Sequence, residues 1–170
     1  MSNLDNPYGL HPLTTQHGGP PHVQKMQKDA AQATAIFKQD VVAREADSFL
    51  APGGTPGTTL YDGVSLDYGA ALTLTDHLVV VDPSCIFDAQ ADGSLVQADE
   101  GLNVNFIFGT GNSTTKFSGH ELDSSTEATT GTLDAHILRI LPIQNNDPGA
   151  NCRFEILINR HRRSPLSAGV

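Results

Sequence analysis

The residue types best suited to chemistry gather between Phe108 and Thr126. Phe108-Gly109-Thr110-Gly111-Asn112-Ser113-Thr114 has the glycine spacing of a loop that could wrap a phosphate. Loops of that kind place a lysine on the phosphate and open a helix whose N-terminus faces the anion. This one lacks the lysine and no helical period follows it, so it reads as a hairpin loop. His120, Glu121 and Asp123 stand close together, but strand alternation sends His120 and Glu121 to opposite faces. No third ligand is spaced to join them, and the group reads as a surface polar cluster. His11, His17 and His22 lie in a proline-rich leader and read as solvated residues, with no metal implied.

A nucleophile is equally hard to assemble. No Gly-x-Ser-x-Gly occurs, and Ser124 and Ser125 sit among threonines and acids where a turn accounts for them. Carboxylates are plentiful, but nothing in their spacing marks a desolvated pair. Cys85 and Cys152 are the only cysteines, distant and outside any Cys-x-x-Cys pair. They read as small buried hydrophobes. These residues point away from an enzyme and a cofactor, and towards a structural or binding protein.

The elements that must position these residues are strands. Val104, Phe106 and Phe108 alternate with Asn103, Asn105 and Ile107, and Phe154, Ile156 and Ile158 alternate with Arg153, Glu155 and Asn159. A period of two puts alternate side chains on one face of a sheet. Ile137 to Leu141 is apolar on both faces apart from Arg139, so Gly101 to His161 reads as an antiparallel unit with one packed and one polar face. Upstream, Thr58 to Tyr61 and Val64 to Leu66 flank Asp62-Gly63, a hairpin-turn pair. Leu78 to Val81 stops at Asp82-Pro83, and Ile86 to Ala89 ends at Asp92-Gly93. Many short strands with frequent turns predict an all-β fold, a small antiparallel barrel or sandwich.

The chain has 170 residues and a net charge of −9, and from Glu45 to Asp134 its only base is Lys116. That acidic middle argues against nucleic-acid binding. Arg160-His161-Arg162-Arg163 reads as a solvated tail. No apolar run approaches membrane-spanning length, and the N-terminus has neither the basic region nor the apolar segment of a secretory signal, so assembly in the cytoplasm is expected. Residues 1–22 carry four prolines and three glycines and read as extended, with Val23 to Ala35 ambiguous but favouring extended structure. The expected organisation is an extended N-terminal arm over 1–33, a β domain over 34–161 and a flexible tail over 162–170.

Several short motifs then converge. Asn6-Pro7-Tyr8-Gly9-Leu10, Gly18-Gly19-Pro20, Ala33-Thr34-Ala35-Ile36-Phe37, Gly101-Leu102-Asn103, Gly109-Thr110-Gly111, Ser118-Gly119-His120-Glu121-Leu122-Asp123 and Asn151 to His161 resemble the decoration, or cement, proteins of tailed-bacteriophage heads. The resemblance covers most of the chain and departs from it in the Leu50-to-Gly57 loop and the arginine-rich tail. It implies a virion protein on the capsid exterior, bound to the major capsid protein and to itself as a homotrimer, that stiffens the head against the pressure of packaged DNA. The arm is the expected attachment element, with Pro7, Tyr8, Gly9, Leu10, Pro12 and Leu13 as its capsid contacts, mobile until it meets a partner. A carbohydrate- or receptor-binding β-sandwich is the alternative.

Overall fold

The computed structural model describes residues 3–164 and is all-β, with no α-helix among those residues. One five-stranded antiparallel sheet, sheet A, is built from β1 (His11–Thr15), β7 (Cys85–Gln90), β14 (Arg153–Ile158), β12 (Ala135–Ile140) and β9 (Asn103–Val104), in that spatial order. A second, sheet B, is built from β2 (Val23–Lys28), β6 (Thr75–Val80), β5 (Gly63–Ser65), β3 (Val41–Arg44) and β4 (Leu50–Pro52). Two small ribbons complete the fold: β10 (Phe106–Gly109) with β11 (Gly119–Leu122), and β8 (Ser94–Leu95) with β13 (Gly149–Ala150). The two large sheets share one core, in the manner of a sandwich, and no closed barrel forms.

The period-two readings hold where they matter most. Val104, Phe106, Ile156 and Ile158 are buried in one cluster, with Phe108 packed against it. From sheet B the same core receives Val41, Val64 and Val80, which lie opposite one another in register. The other face of sheet B is not polar. Val42, Val79, Val81, Leu50 and Ile36 form a second buried cluster, with Met26 packed on it. Ile36 makes only an isolated bridge to Gly69. On sheet A the outer face is polar, as expected, and carries ion pairs: Arg139 with Glu155 at 2.8 Å and Arg153 with Asp88.

Three boundaries differ from the sequence reading. First, residues 1–33 are not separate from the body: β1 pairs with β7 and β2 with β6, so each large sheet takes an edge strand from this segment. Second, Asp62-Gly63 does not turn a hairpin. Asp62 is buried between Arg44 and Arg162, and Gly63 opens β5 at φ +146° because a Cβ there would stand 1.8 Å from the Val80 carbonyl oxygen. The glycine serves close strand approach rather than a turn. Third, Arg160-His161 is not a solvated tail. Arg160 donates to the carbonyls of Thr58, Thr59 and Thr132, and Arg162 donates through its backbone N–H to Tyr61, docking the chain end on the loops beside β5. The tail beyond Ser164 lies outside the described residues.

Candidate functional site

The N-terminal segment is the expected site, and the structure shows where each of its residues goes. Leu10 is fully buried in the main core, and its N–H donates to the Gln39 carbonyl at 3.0 Å. Gly9 precedes it at φ +79°, with space for a Cβ closed off by Gln39 O at 2.3 Å and Ser118 Cβ at 2.4 Å. Only glycine meets both demands there. The Tyr8 hydroxyl donates to Asp88 at 2.7 Å, and the Arg153 guanidinium lies over its ring at 5.0 Å. Burial first, and then the Asp88 carboxylate, push the Tyr8 phenol well above its ordinary range, so it remains a donor. Pro7 and Pro12 are half-buried. Leu13 is 41% exposed; it is the extra residue where the β1–β7 register shifts between Pro12 and Thr14. A bulge on an edge strand turns one side chain outward, and here it turns out a leucine.

Of the six residues, then, Tyr8, Gly9 and Leu10 are occupied within their own chain and Leu13 faces outward. The segment is held by more than its apolar anchor. Gln90 accepts from the Asn6 N–H at 3.0 Å and donates to the Leu4 and Asn151 carbonyls. Asn3 donates to the Asp147 and Ala150 carbonyls and accepts from the Asp147 N–H. The segment was expected to order on a partner; it orders on β7 and on the residues around β13. The partners that sequence reasoning missed are Asp88, Gln90 and Arg153. Alternation in Cys85–Gln90 does place Asp88 and Gln90 on the outward face, so a signal existed. It named no destination, because Tyr8 is eighty residues away along the chain.

The His120 cluster also resolves differently. His120 is buried, not on the surface, while Glu121 is only half-buried, so the alternation is right and the solvation is wrong. His120 Nδ1 accepts the Val41 N–H at 3.1 Å, which puts the proton on Nε2, 3.3 Å from Asp40 Oδ1 but not aligned for a hydrogen bond. Burial holds the imidazole neutral, its pKa pushed down to about 3. Burial pushes the Asp40 carboxyl up to about 7, against the opposing pull of the Ser118 hydroxyl and the Phe37 N–H. With its only lone pair taken by Val41, His120 is not available as a general base. This pair ties the β10–β11 ribbon to β3. Among the described residues no group of three or more His, Cys, Asp or Glu could hold a metal ion. Cys85 and Cys152 are free and buried, their thiols pushed by burial up to about 12 and about 11.

Some large apolar side chains remain exposed. β2 and β6 pair Val23 with Val80 and Lys25 with Leu78, so these four side chains share the face that farther along carries Val64 and Val41. Val80 is buried in the core, whereas Val23 is 39% and Leu78 46% exposed. The core face of sheet B therefore runs on past its cover. Leu72 and Leu74, just before β6, are exposed as well. The chain matches no protein-family model, no curated protein and no solved structure.

Proposed function

We propose that this is a structural virion protein that binds the outer surface of a tailed-phage capsid and stabilises the head. The observation that carries this reading is the pair of part-exposed apolar side chains, Val23 and Leu78, left past the cover of the core beside the Lys25–Asp76 ion pair. Large side chains left in water at the margin of a core mark a place where another molecule completes the packing. Leu13, turned outward by its bulge, supplies a second contact from the segment that the sequence assigns to attachment. In this reading the partner is the major capsid protein, and copies of the chain associate with one another as a homotrimer on the shell. The protein has no catalytic role and takes no cofactor.

The test is reconstitution. Shells lacking the protein are mixed with the wild-type chain, with Leu78→Glu and with Leu13→Glu, then sedimented and scored for occupancy. Wild type is expected to bind at fixed stoichiometry and to raise the shells' resistance to osmotic shock, and Leu78→Glu to lose occupancy. Wild-type protein that never sediments with shells overturns the reading.

A further inference from the structure

A recess of about 140 Å³ opens where the β10–β11 ribbon meets the segment leading into β3. Ala35, Phe37, Pro52 and Phe108 are among its apolar walls, and Asp40 and His120 stand at its polar end. No residue of β2 or β6 lines it, so it is separate from the face proposed to meet a shell.

Both polar side chains are held, and neither is satisfied. His120 is 4% and Asp40 3% exposed. The Val41 N–H fixes His120 through Nδ1 at 3.1 Å, and the Phe37 N–H fixes Asp40 through Oδ2 at 2.7 Å. That leaves His120 Nε2–H and Asp40 Oδ1, 3.3 Å apart and not hydrogen-bonded to each other or to anything else among the described residues. Protein interiors pair such groups, so a donor and an acceptor left over together at the wall of a recess call for an outside partner. The rings are held as well. Phe108 meets His120 edge-on at 4.9 Å and Tyr61 at 6.0 Å. Phe37 packs on Tyr68 at 5.4 Å, and Gly111 lies so close to it that a Cβ there would stand 2.3 Å from Phe37 Cγ.

The surrounding charges select a neutral ligand. Lys116 lies over the Tyr68 ring at 4.6 Å and Lys38 over the Phe117 ring at 6.0 Å, both outside the recess. Two ammonium groups on the Phe37 side disfavour a cation, and the Asp40 carboxyl disfavours an anion. Burial keeps the imidazole itself uncharged.

We propose that this recess binds one phenol ring, with its hydroxyl at His120 and Asp40 and its carbons against Phe37 and Phe108. A hydroxyl accepts from Nε2–H and turns its own hydrogen towards the carboxyl, whereas a carbonyl oxygen would set lone pairs against it. A cavity of about 150 Å³ is enough for benzene, so the volume suits a single six-membered ring. The two aromatic walls supply edge and face contacts for it.

Amide NMR on the full chain tests this, with phenol as the probe and benzene as the same ring without the hydroxyl. Phenol at millimolar concentration is expected to shift the Phe37, Phe108 and His120 resonances, and benzene to bind at least about tenfold more weakly. Ala35→Leu, at a half-buried wall position, fills the recess; it should melt like wild type and lose the shifts. In Asp40→Asn the amide oxygen stays on the Phe37 N–H, so an NH₂ replaces Oδ1 and phenol binding should weaken about tenfold. N-Acetyltyrosinamide distinguishes the source of the ring: competition with phenol marks a site for a partner's tyrosine side chain, and its absence a site for a free phenol. Phenol that shifts nothing, benzene that binds as tightly, or undiminished binding by either folded variant overturns the proposal.

Discussion

At the scale of single residues, Asp40 and His120 set opposing pH dependences. A carboxyl raised from 3.8 to about 7 binds its proton more tightly folded than unfolded, so its contribution to stability falls as pH rises through that window. An imidazole lowered from 6.5 to about 3 is protonated more readily when unfolded, so its contribution rises over its own window. Where the windows overlap the two slopes offset, each at most about 1.4 kcal/mol per pH unit. Asp40→Asn removes the falling slope. The stability of Asp40→Asn minus that of wild type should therefore grow with pH from about 4 to about 7, and urea melts across that range measure it. A difference that stays constant would show that Asp40 is not held protonated by burial. Phe106 makes a simpler case. It is buried, with Tyr61 edge-on at 5.6 Å, and Phe106→Ala should cost about 3–5 kcal/mol in the same melts.

At the scale of elements, the N-terminal strand reverses an expectation. A detachable arm would leave the body's melting temperature unchanged when removed. The structure shows an edge strand of sheet A, with Leu10 in the core and Tyr8 and Asn6 hydrogen-bonded to Asp88 and Gln90 of β7. Leu10→Ala alone should cost about 2–5 kcal/mol, as expected for a fully buried leucine. Removing residues 3–15 should lower stability further and expose the edge of β7. Thermal melts that place the truncated chain within error of wild type would show that the strand contributes nothing to the fold. The β2–β6 ribbon behaves in the opposite way. Leu78 is partly in water, so Leu78→Glu should leave melting nearly unchanged while abolishing occupancy on shells.

At the scale of the whole molecule, charge and apolar surface oppose each other. Copies of the proposed homotrimer carry −9 each and repel, while Lys25 and Asp76 cancel at 2.6 Å on the face proposed to meet the shell. Association of the proposed homotrimer works against that net repulsion, so added salt should strengthen it by screening. An association held by ion pairs would weaken instead. Light scattering on the isolated protein across a salt series separates the two, with a trimer favoured at high salt as the expected result.

The all-β class, the shared core of Val104, Phe106, Ile156 and Ile158 and the burial of both cysteines were legible in the sequence, because each rests on alternation or composition along a short stretch. Gly9 and Gly63 were visible as glycines but not for what they do, since the atoms that exclude a Cβ come from Gln39, Ser118 and Val80. The same limit hid the partners of Tyr8, the docking of Arg160 and the burial of His120. A period of two assigns a side chain to a face; it does not say what covers that face. His120 alternates onto the face it shares with Leu122, and only the packing of the β10–β11 ribbon on β3 takes that polar side chain out of water. Leu78 alternates as a core residue would, and only the extent of the opposing cover leaves it in water. Local pattern follows from backbone geometry, whereas coverage depends on where distant segments end.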